Sequence, residues 1–323
     1  MEDVTKTPAF SPPLSGGFSF LILETLNQDS HEPKLIFNAS IFYNKSMIYE
    51  TFSLGKKDVF LKTYLHENFE YNPDRKRPFV LVIPGGAYNH VGLREREPVA
   101  LKMNSLGFHA ATLHYSIAPM KFPDALIDLA NAVALIRDHA EEWHIDSDKI
   151  ILCGFSAGGH LAASLGAFWN SEFLKDYVSH PTEQIRPNAL CLCYPVITSN
   201  EKYWHEESIM NVIGSISSEN AQKICKSLKK SNMCEVVSIE KNITADFPPT
   251  FIWHTVQDEA VPAKNTILLA DALYEAKIDC EYHLFNRGKH ALSLATEESS
   301  AADGSNIEKE CAVWPDLFMN WFE

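Results

Sequence analysis

The sequence has 323 residues, of which 46% are hydrophobic and 22% charged, a composition typical of a globular protein with a sizeable core. Its formal net charge is -14, from 28 basic and 42 acidic residues. An acidic surface repels the phosphates of nucleic acids and the headgroups of anionic lipids, so neither a nucleic acid nor a membrane is expected as a partner.

The cysteine pattern and the lack of a targeting signal predict a cytoplasmic location. The seven cysteines form no Cys-x-x-Cys pair, and Cys153, Cys191 and Cys193 fall in apolar runs, which favours reduced, buried thiols. The apolar stretch from Phe18 to Leu23 is too short for a secretion signal. No run approaches the ~18 apolar residues of a membrane span.

Taken in chain order, the sequence begins with a peripheral arm and continues as one α/β domain. Residues 1–45 are punctuated by proline and glycine without a clear period, whereas strands and helices alternate through residues 46–323. The hydrophobic patterns predict strands at 48–54, 58–65, 79–83, 108–115, 149–153, 189–194, 250–254 and 280–285, and helices at 97–106, 123–143, 157–168, 263–276 and about 307–322.

This alternation predicts a mostly parallel central sheet with helices on both faces, because parallel strands need crossover connections. The opening hairpin supplies an antiparallel edge. The strands near 191 and 252 are much further apart in sequence than a crossover helix requires. We interpret the excess, about residues 198–247, as a small cap insertion over the carboxyl ends of the strands, where ligands bind in such sheets.

A candidate nucleophile follows the strand at 149–153. The segment Gly154-Phe155-Ser156-Ala157-Gly158 fits the pattern Gly-x-Ser-x-Gly and comes directly before a helix of small residues. This strand–turn–helix context is what a nucleophile elbow requires, because the turn exposes the serine hydroxyl and the glycines avoid steric conflict. The alternative is a plain glycine-rich turn. The context favours Ser156 as the nucleophile.

A serine nucleophile needs an acid, which should follow a late strand of the sheet. Asp258 lies in the loop after the strand at 250–254, next to Glu259. We favour Asp258 because its shorter side chain precedes the apolar Val261 and Pro262, which fix the loop. The alternative role for this aspartate is that of an acid at the amino end of the following helix.

The base should be a histidine after the last strand, and His290 occupies that position in a loop that contains Gly288. His254 and His283 lie within predicted strands, which indicates packing or surface roles. His160 lies on the helix after the nucleophile and is expected to form structural hydrogen bonds.

An oxyanion hole needs two backbone N–H donors. Ala157, directly after the nucleophile, should provide one. The other should come from the loop Pro84-Gly85-Gly86-Ala87-Tyr88 after a buried strand, where glycines allow close approach to a substrate. We predict Gly86 and Ala87 as its donors and Tyr88 as a substrate contact.

Several motifs together resemble the esterase/lipase branch of α/β-hydrolases related to hormone-sensitive lipase. Arg94-Glu95-Arg96-Glu97-Pro98 and Gly154-Phe155-Ser156-Ala157-Gly158-Gly159-His160 are most similar to bacterial acetyl-xylan and feruloyl esterase-type proteins, and the likeness covers about residues 75–295. Other motifs of the same branch are Tyr115-Ser116-Ile117-Ala118-Pro119, Phe122-Pro123-Asp124-Ala125 and Trp143-His144-Ile145-Asp146. The wider branch opens its oxyanion loop with His-Gly-Gly-Gly, whereas this chain has Pro84 and Ala87 at the first and fourth places.

The resemblance implies an α/β-hydrolase fold and hydrolysis of short-chain acyl esters, including acetyl or feruloyl esters on sugars. The expected partner is a small ester, and no metal or organic cofactor is expected. An arylformamidase, a peptidase and a non-catalytic binding protein are the alternatives, and a homo-oligomer is left open.

Overall fold

The computed structural model describes residues 47–214 and 216–323. The predicted arm at 1–45 therefore lies outside the described residues. The strands are β1 (Met47–Ile48), β2 (Thr51–Ser53), β3 (Phe60–His66), β4 (Arg77–Ile83), β5 (His109–His114), β6 (Ile145–Phe155), β7 (Ala189–Cys193), β8 (Thr250–Thr255) and β9 (Cys280–Phe285). The helices are α1 (Glu97–Ser105), α2 (Asp124–Asp138), α3 (Ala157–Phe168), α4 (Glu172–Lys175), α5 (Glu206–Ile213), α6 (Ser218–Leu228), α7 (Met233–Val237), α8 (Lys264–Glu275) and α9 (Trp314–Phe322).

Across the described residues the strands form one sheet in the order β1-β3-β5-β4-β6-β7-β8-β9, and β2 also pairs with β3. The pairs from β5 through β9 are parallel, whereas β3 runs antiparallel to β1, β2 and β5. The predicted fold is thus confirmed, with the hairpin at the antiparallel edge. All parallel carboxyl ends meet at one edge of the sheet.

Two apolar layers cover the sheet. One contains buried side chains of α2, α3 and α8, such as Leu129, Leu161 and Leu269. The other contains those of α1 and α9, such as Met103 and Phe318. The central strands are apolar on both faces because each face is covered by helices.

Two predicted helices are shorter than the sequence pattern suggested. Helix α2 ends at Asp138 rather than 143, because Ile145 joins β6 and pairs with Arg77 of β4. Helix α9 begins at Trp314 rather than about 307. Pro315 lies in its first turn, and a proline deeper in a helix would lack an N–H and clash with the preceding turn.

The segment between β7 and β8 contains α5, α6 and α7, so the extra residues at this point carry helices of their own. Cys153, Cys191 and Cys193 lie fully buried in core strands, as the sequence indicated. In residues 47–214 and 216–323, no helix has both the length and the apolar character needed to cross a bilayer.

Candidate active site

Ser156 lies at the junction of β6 and α3 in a backbone conformation that few non-glycine residues adopt, with φ of 52° and ψ of -118°. Tight packing holds this strained turn. A Cβ added to Gly158 would lie 2.1 Å from the carbonyl oxygen of Ile83 at the end of β4. Since only a residue without a side chain fits there, the pattern Gly-x-Ser-x-Gly has a steric cause.

The structure brings Ser156, Asp258 and His290 together, although they come from three separate loops. His290 Nε2 is 2.8 Å from Ser156 Oγ, and His290 Nδ1 is 2.6 Å from Asp258 Oδ2. A carboxylate only accepts hydrogen bonds, so His290 Nδ1 carries the hydrogen and Nε2 is free to accept the serine proton. This is the order of contacts in a Ser-His-Asp triad.

Asp258 is buried and accepts four hydrogen bonds. Its Oδ1 accepts the N–H groups of Ala260 and Val261 at 3.0 and 2.9 Å, while His254 Nε2 lies 3.1 Å from the Oδ2 that also binds His290. Burial alone would raise the pKa of this carboxyl. The hydrogen bonds from His254 and His290 outweigh burial and hold the Asp258 pKa well below its usual range. Glu259, the alternative acid, is exposed.

The loop at 84–88 is fixed through its carbonyl groups. Each carbonyl of residues 84 to 88 accepts at least one hydrogen bond. The donor is Tyr115 Oη for Pro84, Gly92 N for Gly85, Asn211 Nδ2 for Ala87 and Ala118 N for Tyr88, while Gly86 accepts from both Asn89 N and His90 N. In the described part of the chain, the N–H groups of Gly86, Ala87 and Ala157 have no hydrogen-bond acceptor.

This loop also lies directly beside the nucleophile, because a Cβ added to Gly85 would be 2.9 Å from Ser156 Cβ. The unused N–H groups are therefore available close to the serine. Their role as oxyanion donors stays a prediction.

A buried carboxylate in the Arg94–Pro98 motif, to which the sequence analysis gave no role at the site, connects the two sides of the site. Glu95 Oε2 accepts the N–H of Gly85 at 2.7 Å, and Glu95 Oε1 accepts the hydroxyl of Tyr194 at 2.7 Å. Tyr194 Oη in turn accepts the N–H of Ser293 at 2.8 Å, and the Tyr194 ring packs edge-on against His290. Burial, followed by the charge of Glu95, raises the pKa of Tyr194 well above its usual value, so the hydroxyl stays protonated.

Tyr88 is buried, and its hydroxyl is 2.7 Å from His160 Nδ1. His160 Nε2 donates to the carbonyl of Val237 at 2.8 Å, which makes Nδ1 the acceptor for Tyr88. Burial lowers the pKa of His160 to about 4, so it is neutral. His160 thus forms structural hydrogen bonds, as expected, while a contact between Tyr88 and substrate stays a prediction.

The other histidines lie at different distances from the triad. His283 is half-buried on β9 and pairs with Glu281, which agrees with a surface role. His254 is buried on β8 but contacts the acid, a position that its place inside a strand did not reveal. His205, which precedes α5, stacks near His290 with 6.5 Å between ring centroids.

The described residues with metal-ligand spacing are Cys153, Cys191 and Cys193, whose sulfur atoms lie within 4.8 Å of one another. These thiols are buried in core strands among apolar side chains and are not part of the triad. The expectation that the reaction needs no metal stays a prediction.

A strained serine at a strand–helix turn, followed along the chain first by an aspartate and then by a histidine on a mostly parallel sheet, defines an α/β-hydrolase. A sequence model of the BD-FAE family matches residues 67–273. The chain belongs to the BD-FAE family of α/β-hydrolases. This confirms the resemblance to esterases of the acetyl-xylan type.

Individual relatives agree with this assignment. The chain is 34% identical to endo-1,4-beta-xylanase B of Butyrivibrio fibrisolvens over 74% of its own length and 35% of the relative. It is 24% identical to the acetylxylan esterase of Xylanibacter ruminicola over 67% of its own length and 41% of the relative. It therefore spans less than half of each of these two relatives.

Among solved structures, the chain is similar to the acetyl ester-xyloside bifunctional hydrolase of Caldicellulosiruptor lactoaceticus. The two share 32% sequence identity with a TM-score of 0.64, and the match covers 81% of this chain and 88% of that one.

Proposed function

We propose that this protein is a serine carboxylesterase that hydrolyses short-chain acyl esters, with acetyl esters of sugars as the substrate class. The observation that carries the proposal is the continuous set of contacts from Asp258 through His290 to Ser156. Ester hydrolases among the relatives, including an acetylxylan esterase and an acetyl ester-xyloside hydrolase, support the ester class.

In the first half-reaction, His290 Nε2 takes the proton of Ser156 as Oγ attacks the ester carbonyl carbon. The negative charge that develops on the carbonyl oxygen accepts hydrogen bonds from the N–H groups of Ala157 and of Gly86 or Ala87. The amino end of α3 adds a favourable dipole. Asp258 orients the imidazole and stabilises its positive charge.

The tetrahedral intermediate collapses when the carbon–oxygen bond to the alcohol breaks and His290 donates its proton to the leaving oxygen. Water then attacks the acyl-serine with His290 again as the base, which releases the acid and restores Ser156. Every proton in this cycle passes through one imidazole nitrogen.

An open groove borders the acid–base side of the triad, next to Asp258 and His290, and offers space for the alcohol part of the ester. The groove has a volume of about 1050 Å³ and is bordered by His290, Arg94, Lys289 and Asn306, among others. A groove of this size holds a saccharide unit, and its charged and amide groups suit hydroxyls better than alkyl chains.

Replacement of the nucleophile tests the proposal. In Ser156→Ala we expect kcat on an acetyl ester to fall by at least about 10⁴-fold, because no other group can form the acyl-enzyme. The exposed Ser105→Ala is the control and should keep full activity. A fluorophosphonate probe should label the wild type and not Ser156→Ala. Near-full esterase activity in Ser156→Ala would refute the assignment.

A substrate panel separates this function from its alternatives. Rates on an acetylated xyloside, a formyl anilide and a short peptide distinguish an esterase from an arylformamidase and a peptidase. We expect the highest kcat/KM on the acetylated xyloside. A protein that reacts with neither the probe nor any substrate would instead be a binding protein.

A further inference from the structure

His205 borders the reacting groups from the segment between β7 and β8. Its imidazole lies nearly parallel to that of His290, with 18° between the planes and 6.5 Å between the centroids. It is the residue that precedes α5 and caps that helix. None of the steps in the proposed reaction uses this second imidazole.

The capping contacts decide which nitrogen of His205 carries a hydrogen. Nδ1 accepts the backbone N–H of Ser208 at 3.3 Å and also lies 2.9 Å from Ser208 Oγ. A backbone N–H can only donate, so Nδ1 must be unprotonated and the hydrogen of the neutral ring is on Nε2. No acceptor for this Nε2–H is present among the described residues.

The surroundings keep this ring uncharged. Partial burial, and then repulsion from His290 whenever that ring is protonated, lower the pKa of His205, while Glu207 and Asp258 act in the opposite direction. A neutral imidazole with a fixed tautomer therefore has one N–H donor that no group in the described residues uses, on a ring beside that of His290.

The ester itself restricts what this donor can bind. In the proposed reaction, the carbonyl oxygen of the substrate accepts hydrogen bonds from Ala157 and from Gly86 or Ala87, and the leaving oxygen takes its proton from His290. A short alkanoyl group has no further oxygen, so the remaining acceptors belong to the alcohol. In a sugar, the nearest of these is the hydroxyl on the carbon next to the ester.

We propose that His205 Nε2–H binds the hydroxyl adjacent to the scissile ester and thereby selects esters of vicinal diols, such as partly acetylated sugars, over esters of simple alcohols. This proposal rests on the proposed esterase function and adds a specificity-determining residue to it. A site that hydrogen-bonds a substrate hydroxyl discriminates against the analogue that lacks it.

The test compares two substrates that differ by one hydroxyl, cyclohexyl acetate and the monoacetate of cyclohexane-1,2-diol. His205→Asn is the informative variant, because asparagine is a good helix cap and its side-chain oxygen can still accept the Ser208 N–H. Its amide N–H groups end at the position of the ring's Cδ2, one atom short of the place where Nε2 provides its donor. His205→Ala removes both the cap and the donor, and His283→Asn makes the same change outside the site.

We expect wild type to prefer the diol monoacetate in kcat/KM by about 5- to 10-fold, the effect of one hydrogen bond. His205→Asn should lose most of this preference and keep its rate on cyclohexyl acetate within about 2-fold. His283→Asn should keep the wild-type ratio.

If His205→Asn retains the wild-type ratio, or slows both esters equally, the inference about His205 is wrong and the esterase proposal stands. If wild type hydrolyses neither ester and does not react with a fluorophosphonate, the proposed function fails first. A loss of activity in His205→Ala that His205→Asn restores on both substrates would show that the residue only caps the helix.

Discussion

The nucleophile side of the candidate site and its acid–base side are held in place by different means. On the nucleophile side, residues 84–88 and 154–160 are fixed mainly through hydrogen bonds to their own backbone carbonyls and by glycines packed against neighbouring carbonyls. On the acid–base side, residues 254–261 and 286–293 are fixed largely by hydrogen bonds to the side chains of Asp258 and Tyr194.

This difference determines how each side responds to substitution. A backbone-built region tolerates almost no added volume at its glycines, because carbonyl groups of neighbouring strands do not move aside. A side-chain-built region keeps its shape after an isosteric change but loses the hydrogen bond that sets a tautomer. Substitutions on the acid–base side should therefore lower mainly activity, and substitutions on the nucleophile side should lower mainly stability.

The largest effect is expected on the acid–base side. Asp258→Asn keeps the size of the side chain but offers only one acceptor oxygen, so His290 loses the partner that keeps its hydrogen on Nδ1. We expect kcat to fall by about 10³- to 10⁴-fold with little loss of folded structure. Glu259→Gln, its exposed neighbour, should change kcat less than about 2-fold. Equal losses in both variants would show that the wrong acid has been assigned.

On the nucleophile side the leading effect should be on stability. In Gly158→Ala the new methyl group meets the Ile83 carbonyl at 2.1 Å, so the β4–α3 contact must open. We expect the free energy of unfolding to fall by about 3 kcal/mol or more, measured by urea denaturation.

Gly55→Ala is the matched control for this variant. Gly55 has a φ of 82° but no neighbouring atom within 4 Å of the added Cβ, so it reports backbone strain without a clash. A loss of about 1 kcal/mol is expected. If Gly158→Ala lost no more unfolding free energy than Gly55→Ala, close packing around Gly158 would not be the reason that the turn requires a glycine.

Glu95 joins the two sides, so its substitution should disturb activity more than stability. In Glu95→Gln one oxygen becomes an amide group, which conflicts with either the Gly85 N–H or the Tyr194 hydroxyl. We expect a loss of about 10- to 100-fold in kcat/KM, equivalent to one buried hydrogen bond to a charged group. Glu97→Gln, at an exposed position two residues later, should remain near wild type. Unchanged activity in Glu95→Gln would mean that this link does not position the loop.

The smallest effect should be a change in pH dependence. Because the pKa of Asp258 is depressed in the folded state, the stabilisation it provides is present above the ordinary carboxyl pKa and is lost as pH falls below that value. The difference in unfolding free energy between wild type and Asp258→Asn should shrink between pH 6 and pH 3, measured by urea denaturation at each pH. If the difference in unfolding free energy stayed constant over this pH range, the pKa of Asp258 would not be depressed in the folded state.

The sequence predicted the sheet because hydrophobic periodicity and chain order carry that information locally. Ser156 could be predicted because its turn requires glycines at fixed spacing. Asp258 and His290 could be predicted because each follows a strand that ends at the same edge of the sheet. The structure places these three in contact, while their catalytic roles and those of Gly86, Ala87 and Ala157 remain to be tested.

The contacts that Glu95, His254 and His205 make at the site could not be predicted from the residues next to them in the sequence. Glu95 lies 10 residues from Gly85 but 99 from Tyr194, and nothing in its neighbourhood marks it as buried. His254 reads as an ordinary strand residue, and the position of His205 depends on how the segment between β7 and β8 folds. Helix α9 was predicted too long because the residues from about 307 to 313 fit a helical period, although the helix itself begins at Trp314.

The hydrogen bond from Asn211 Nδ2 to the Ala87 carbonyl, 2.9 Å long, ties helix α5 to the loop beside the nucleophile. Exchange of the β7–β8 segment for that of a relative would therefore alter two things at once, the residue beside His290 and the support of the loop. A chimaera that retains an asparagine at position 211 should keep its turnover, and specificity can then be varied in the rest of the graft.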